Sequence, residues 1–259
     1  MKPFLTLALA AALSGPAFAA AGDTVITKAK HDDAVSMMGQ QQPAKDSTEV
    51  TWIGKDRMRI EDGEDVTIVR ADLKKMYKLD MGAKTVSTID LPFDMKKYMP
   101  AEVAPMMEHM MGQMKVTVTP TTETKKIKDW NATRYTMTMS MPMGGSMTQE
   151  IWATQDVAID AASMQEMQTA FLSAMPMVGA TMASEMKKVV GLPVLSERTM
   201  VMMGNESKGR EEVTSIEQKE APAGLYEVPA GFTEKPFDPM GEGGGMGPKM
   251  GRGHGPRGG

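Results

Sequence analysis

The sequence predicts an α+β fold: a strongly curved antiparallel sheet, an unclosed half-barrel, wrapped around two helical segments. Three observations lead to this prediction. Short strand patterns separated by turn signals recur through residues 24–91. A longer strand over residues 131–143 alternates large apolar and polar side chains. Two stretches, residues 100–114 and 160–190, change to the three- and four-residue spacing of an amphipathic helix.

The first of these regions, residues 24–91, has the pattern of a β-meander. Gly54-Lys55-Asp56 and Asp62-Gly63 are turn signals between short apolar strands, and the turn at residues 80–83 separates strands at 76–79 and 85–89. Turns that recur roughly every 8–12 residues are typical of a sandwich or a curved sheet. We expect residues 39–46, which are rich in Gln, to form an exposed loop.

The two helical segments are predicted from methionine spacing. Residues 100–114 begin with Pro100 and carry one apolar stripe, formed by Val103, Met106, Met107, Met110, Met111 and Met114. Residues 160–190 carry two further stripes, Met164, Met167, Phe171 and Met175 before Pro176, then Val178, Met182 and Met186 after it. Because proline disfavours the helical conformation of the residue before it, we expect the helix that carries the first of these two stripes to end near Met175.

The strand at residues 131–143 has the clearest alternation in the chain. Its large side chains Tyr135, Met137, Met139, Met141 and Met143 fall on every second position, so all five share one face of the sheet. Two more strands are expected at residues 194–203 and 211–218. A short turn at residues 222–229 is expected to pack Leu225, Tyr226 and Val228.

The ends of the chain differ in composition from its middle. Lys2, an apolar run over residues 4–13 and the small residues Ala17 and Ala19 are typical of a secretory signal peptide, here residues 1–20. We expect residues 21–237 to form one domain and residues 238–259, rich in Gly, Pro and Met, to be a disordered tail. The predicted location is the periplasm or the exterior, and no stretch predicts a transmembrane segment.

Composition argues against several classes of function. The chain has no Cys and only three His, and none of the common catalytic motifs occurs. His31-Asp32-Asp33 is the best local cluster, but successive strand residues point to opposite faces and are poorly placed to chelate one ion. The formal charge of -4 without a basic patch argues against nucleic acid. We expect no enzymatic activity, no cofactor and a monomer.

Methionine is the unusual feature: the chain has 30, whereas only 7 Leu follow residue 20. Ordinary core packing is one interpretation. A second is an adaptable apolar cavity, because Met-rich surfaces adjust to partners of varied shape. Its lining would be Tyr135, Met137, Met139, Met141, Met106, Met110, Met114, Met167 and Phe171. A third is a Cu(I) site at Met107, Met110 and Met111, because thioether sulfur suits that ion.

Several stretches resemble a secreted bacterial family of unknown function, DUF4412. They are residues 51–60 (Thr-Trp-Ile-Gly-Lys-Asp-Arg-Met-Arg-Ile), 68–80, 213–217 and 225–232 (Leu-Tyr-Glu-Val-Pro-Ala-Gly-Phe). That family is similar in element order to the lipoprotein carriers LolA and LolB, so the resemblance implies an unclosed half-barrel whose helices cover a face that holds acyl chains. It carries over no ligand residue.

The leading hypothesis is therefore a non-enzymatic periplasmic binding or carrier protein for an apolar, acyl-containing ligand or a lipoprotein-like partner. The alternatives are a Met-based Cu(I)-binding envelope protein and a structural or partner-binding envelope protein whose tail makes the contacts.

Overall fold

The fold is dominated by β-strands. The computed structural model describes residues 22–37, 40–103, 105–106, 109, 112–141, 144–157, 171, 179–202 and 204–239. In chain order the strands are β1 (Asp23–Asp32), β2 (Val35–Met37), β3 (Gln40–Gln42), β4 (Lys45–Ile53), β5 (Arg57–Asp62), β6 (Asp65–Arg70), β7 (Lys75–Asp80), β8 (Thr85–Asp90), β9 (Lys115–Ile127), β10 (Trp130–Ser140), β11 (Ser146–Thr154), β12 (Leu192–Met202), β13 (Asn205–Lys219) and β14 (Thr233–Glu234).

Twelve of these strands form one curved, unclosed sheet. Their order is β14-β8-β7-β6-β5-β4-β1-β13-β12-β11-β10-β9, so β14 and β9 are its two edges, and β2 and β3 form a separate ribbon. Every neighbouring pair is antiparallel except β14 with β8. The chain builds one half of the sheet from β4 to β8 and the other from β9 to β13. β1 joins the halves by pairing with β4 and β13. The predicted curved antiparallel sheet is confirmed.

The hairpins follow the turn chemistry of the sequence. Gly63 has φ of +63° between β5 and β6, a conformation that glycine adopts without steric cost. Between β7 and β8, the Asp80 carboxylate accepts a hydrogen bond of 2.8 Å from the Ala83 backbone N–H. The predicted loop at residues 39–46 is wrong, because β3 and the start of β4 lie within it. Lys45 belongs to β4, since its backbone pairs with Asp32 of β1.

Helices form a small part of the described structure. One α-helix, α1 (Gly179–Met186), and one 3-10 helix (Met95–Lys97) have defined bounds. The described residues thus establish one short helix where two helical segments were predicted. Residues 158–170 and 172–178, and part of 100–114, lie outside the described residues, as do the predicted signal peptide and residues 240–259 of the predicted tail. No described helix has the length and apolar character needed to cross a bilayer.

One face of the sheet runs without interruption across all the long strands. Directly paired residues share a face, and Met137 of β10 pairs with Val118 on one side and with Gln149 on the other. The same row continues through Arg198 of β12 and Gly209 of β13 to Asp32 of β1. Helix α1 packs on this face, which we call the helix-covered face.

The opposite face is covered near β4 to β8 by the segment that follows β13. Tyr226 is buried there with Val66, Ile68 and Leu79, and Leu225 and Val228 pack against the same cluster. The Tyr226 hydroxyl donates a hydrogen bond of 2.7 Å to the Asp23 carboxylate. The predicted packing of residues 222–229 is confirmed.

Candidate functional site

A methionine cluster occupies the β9–β12 end of the helix-covered face. Its buried members are Val116, Val118, Tyr135, Met137, Met139, Met147, Ile151, Ala153 and Met182, and its partly buried members are Met114, Met141, Met186, Val189 and Met200. Eight of these fourteen residues are methionines. Met137 and Met139 are each only 1% exposed, so the middle of the cluster is packed.

The methionines of the cluster lie side by side across the strands. Met139 of β10 pairs directly with Met147 of β11, and Met147 pairs with Met200 of β12. Val116 of β9 completes this row on the other side of Met139. Side chains that are directly opposite on neighbouring antiparallel strands have Cβ atoms about 5 Å apart, so they are in contact. The row leads from the partly buried Met200 to the buried Met139.

Helix α1 packs over the methionine cluster. Met182 and Met186 are four residues apart and therefore lie on one side of the helix, where both pack into the cluster. The Glu185 carboxylate accepts a hydrogen bond of 2.7 Å from the backbone N–H of Val118, on the open edge of the sheet. Hydrogen bonding by Lys188, and then by this N–H, holds the pKa of Glu185 below its usual value.

The return from α1 to the sheet depends on one glycine. Gly191 has φ of +97° and directly precedes β12. A Cβ atom at this position would lie 2.2 Å from the carbonyl oxygen of Thr154, which is a backbone atom of β11. Because only glycine avoids both the strained φ and this overlap, Gly191 fixes how closely the end of the helical excursion approaches the sheet.

A charged stripe borders the methionine cluster on the same face. Lys28 and Lys30 of β1 contact Glu49 of β4 at 2.8 and 3.3 Å, and Lys30 contacts Asp62 of β5 at 2.8 Å. On the other side of β1, Arg198 pairs with Asp32 and lies 3.6 Å from Glu211. The stripe is formed by Lys28, Lys30, Asp32, Glu49, Asp62, Arg198 and Glu211, and it crosses five strands.

The stripe is only partly accessible to water. The side chain of Glu49 is 12% exposed and that of Lys30 is 17% exposed. Burial alone would raise the pKa of Glu49, but the neighbouring Lys28 and Lys30 outweigh it and lower the pKa. Burial alone would lower the pKa of Lys30, whereas its hydrogen bond to Asp62 and the charge of Glu49 raise it to about 12. Glu49 and Lys30 are therefore both ionised at neutral pH.

The structure brings together five of the residues that the sequence proposed as a lining. Tyr135, Met137, Met139, Met141 and Met114 all belong to the methionine cluster. Met106 is 65% exposed. Phe171 packs instead beside Met58, Val69, Met76 and Ile89, at the other end of the sheet. Met110 and Met167, and the copper candidates Met107 and Met111, lie outside the described residues, so the Cu(I) site stays a prediction.

Sequence reasoning missed the charged stripe. The signal was present, because Lys28, Lys30 and Asp32 alternate with Thr27, Ala29 and His31 along β1. His31 lies on the opposite face from Asp32, as its strand position requires, and its ring nitrogens contact Asp46 at 2.7 Å and Asp33 at 3.2 Å. Hydrogen bonding to Asp46 raises the pKa of His31.

Two clefts in the described part of the chain lie away from the methionine cluster. One, of about 380 Å³, is polar and is lined in part by His31, Glu150 and Arg210. The other, of about 560 Å³, lies beside β8 and β14 and is lined in part by Tyr98 and Phe237. The two rings meet edge to face with centroids 5.5 Å apart.

The comparison with protein families shows which family the chain belongs to. The model of the domain of unknown function DUF4412 matches residues 24–232, which extend from the second residue of β1 past the end of β13 and contain the methionine cluster. The chain belongs to the DUF4412 family. This confirms the family indicated by the sequence motifs. A comparison with curated proteins finds no match for this DUF4412 chain.

Solved structures show distant similarity to this DUF4412 protein. PNGF-II is 12% identical with a TM-score of 0.38; the match covers 84% of this chain but only 31% of PNGF-II. A candidate outer membrane lipoprotein-sorting protein domain from Vibrio parahaemolyticus is 7% identical, with coverage of 76% and 86% and a TM-score of 0.27. LprF from Mycobacterium bovis is 11% identical, with coverage of 83% and 91% and a TM-score of 0.25.

Proposed function

We propose that this DUF4412 protein is a non-enzymatic binding or carrier protein of the cell envelope, and that its methionine cluster accepts an apolar, acyl-containing ligand. The single observation that carries the proposal is the composition of the cluster: eight methionines between a sheet and one short helix. An ordinary core of this size is built mainly from branched aliphatic residues with few rotamers. Methionine is unbranched and polarisable, and it repacks around inserted groups at low cost.

The contacts of α1 support this proposal. The helix has eight residues, and isolated helices this short are unstable in water, so α1 depends on its packing against the cluster. Met182 and Met186 supply much of that packing, and an acyl chain would replace their contacts with equally apolar ones. Displacement of α1 by such a ligand therefore exchanges one apolar surface for another.

The proposed location rests on the signal-like residues 1–20. The proposed absence of catalysis rests on the sequence, which contains none of the common catalytic motifs.

Binding of a fluorescent acyl probe tests the proposal. We expect 11-(dansylamino)undecanoic acid to bind the full chain saturably, with a blue-shifted emission. Met182→Lys places a charge at the contact between α1 and the cluster and should abolish binding. Met106→Lys makes the same change at an exposed position and should bind as the wild type does.

Two results would contradict the proposal: no saturable binding of the acyl probe by the wild type, or equal binding of the probe by the Met182→Lys variant. In the second case the probe occupies another surface, such as the cleft at Tyr98 and Phe237. Because Met182→Lys could also unfold the chain, circular dichroism of each variant accompanies the titration. Met182→Gln, which is uncharged and of similar length, provides a second variant with a smaller expected loss.

A further inference from the structure

We propose that the methionine cluster is a redox-controlled attachment site for α1, in which oxidation of four border methionines to sulfoxides releases the helix from the sheet. The border methionines are the partly buried members Met114, Met141, Met186 and Met200. This goes beyond ligand binding and does not depend on it. The chain has no cysteine, so methionine provides its only readily oxidised sulfur.

Exposure gives the methionines a graded order of reactivity. Met106 is 65% exposed and Met81 is 37% exposed, and neither belongs to the cluster. The border methionines are partly buried, whereas Met137 and Met139 are 1% exposed. Because oxidant must reach the sulfur, we expect oxidation to proceed in this order. Among the methionines that the structure describes, the border methionines are thus the first sulfurs of the cluster that we expect to be oxidised.

The chemistry balances with a two-electron oxidant such as hypochlorous acid. The thioether sulfur loses two electrons and gains the oxygen of the oxidant, and chlorine leaves as chloride with release of a proton. The product is methionine sulfoxide, a polar group that methionine sulfoxide reductases convert back to the thioether. The modification is therefore reversible.

The composition of the cluster explains why a sulfoxide there would release the helix. Its members are Val, Met, Ile and Ala, apart from Tyr135, which carries the only side-chain hydrogen-bond donor among them. A sulfoxide oxygen that loses water without gaining a donor is strongly disfavoured. At Met200 this oxygen would face Met147, and at Met186 it would lie between α1 and the sheet. Hydration of either group requires the border to open.

Met141 shows how closely the border is packed. Its backbone N–H donates a hydrogen bond of 2.8 Å to the carbonyl oxygen of Gly145. A Cβ atom at Gly145 would lie 3.3 Å from the Met141 Cβ and 3.7 Å from its terminal methyl group. The Met141 side chain thus packs against Gly145, which directly precedes β11.

The amide of Val118 reports directly on the position of α1. This N–H lies on the edge strand and donates to Glu185 of α1, so it becomes available to water when the helix leaves. The experiment oxidises the purified full chain with increasing hypochlorous acid, quenches with free methionine, locates sulfoxides by peptide mass spectrometry and follows hydrogen exchange at Val118. We expect exchange to accelerate at least tenfold when border sulfoxides form, and not when only Met81 and Met106 are oxidised.

Two variants and a reversal complete the test. Met114→Leu/Met141→Leu/Met186→Leu/Met200→Leu removes all four border sulfurs, keeps the cluster apolar and should retain slow exchange at the same dose of oxidant. Met81→Leu/Met106→Leu removes two exposed sulfurs outside the cluster and should respond as the wild type does. Treatment with methionine sulfoxide reductases should restore protection.

Unchanged exchange with border sulfoxides present would overturn the proposal, as would equal acceleration in the quadruple Leu variant. Failure of the reductases to restore protection would exclude a reversible switch. If the quadruple variant does not fold, the wild type still decides the question, because each peptide reports whether sulfoxide formation and Val118 exchange rise together.

Discussion

Replacing Met139 by alanine probes the packing of the methionine cluster most directly. Met139 is 1% exposed, and Val116 and Met147 flank it on the neighbouring strands. The substitution removes three heavy atoms beyond Cβ, which at about 0.8 kcal/mol for each buried methylene amounts to about 2.4 kcal/mol. A residual cavity adds to this value, although flexible methionine neighbours can move into the space. We expect a loss of about 2–3 kcal/mol in the free energy of unfolding.

Equilibrium urea unfolding, followed by circular dichroism, measures this change. In a domain of this size a loss of 2–3 kcal/mol corresponds to a fall of about 4–12 °C in Tm. Met139→Leu, which retains the volume, should cost less than about 1.5 kcal/mol. Met106→Ala removes the same atoms from a side chain that is 65% exposed, and we expect a change within about 0.5 kcal/mol.

A loss below about 1 kcal/mol for Met139→Ala, similar to that for Met106→Ala, would refute the reasoning. It would mean that the cluster is loosely packed or that its neighbours close the cavity completely.

Three further predictions concern the elements around the cluster. Gly191→Ala should destabilise the protein by at least about 2 kcal/mol in the same urea assay, because the added Cβ overlaps the carbonyl oxygen of Thr154 at a φ of +97°; an unchanged midpoint would contradict the close approach. Glu185→Ala, which removes the acceptor, should speed hydrogen exchange at the Val118 amide and leave the urea midpoint nearly unchanged, whereas unchanged exchange would show that the contact does not hold the helix. Glu49→Gln should flatten the loss of stability below about pH 4.5. The pKa of Glu49 is lower in the folded state than its usual value, so its stabilising contribution is present above the usual pKa and is lost as pH falls through the folded-state pKa. Parallel pH profiles of stability for the variant and the wild type would argue against this contribution.

The sequence predicted the local structure well where apolar and polar residues alternate. The turn at Gly63 and the shared face of Met137 and Met139 follow from turn chemistry and from the two-residue period of a strand. The extension of β4 through Lys45 could not be predicted in this way. Those polar residues are in a strand because their backbone pairs with β1, which is a long-range interaction.

The candidate site was only partly predictable for the same reason. Spacing places Met137 and Met139 on one face, but it does not show that Met200 joins their row, because Met200 lies 61 residues after Met139 along the chain. The charged stripe was missed because each charge is common on a protein surface when considered alone. Only the sheet register shows that Lys30, Glu49 and Asp62 meet on the face that α1 covers elsewhere.

The edge strand β9 has a consequence for how the protein behaves at high concentration. An exposed edge strand of 13 residues is a template on which another chain can add a strand, which leads to fibrils. The backbone N–H of Val118 points away from the sheet. Backbone groups two positions apart along a strand point the same way, so those of Val116 and Pro120 also point outward. The Val118 N–H is occupied by Glu185 and Pro120 has no N–H, so only Val116 of these three can donate to an incoming strand. The contact that holds α1 on the sheet thus also protects this edge against self-association.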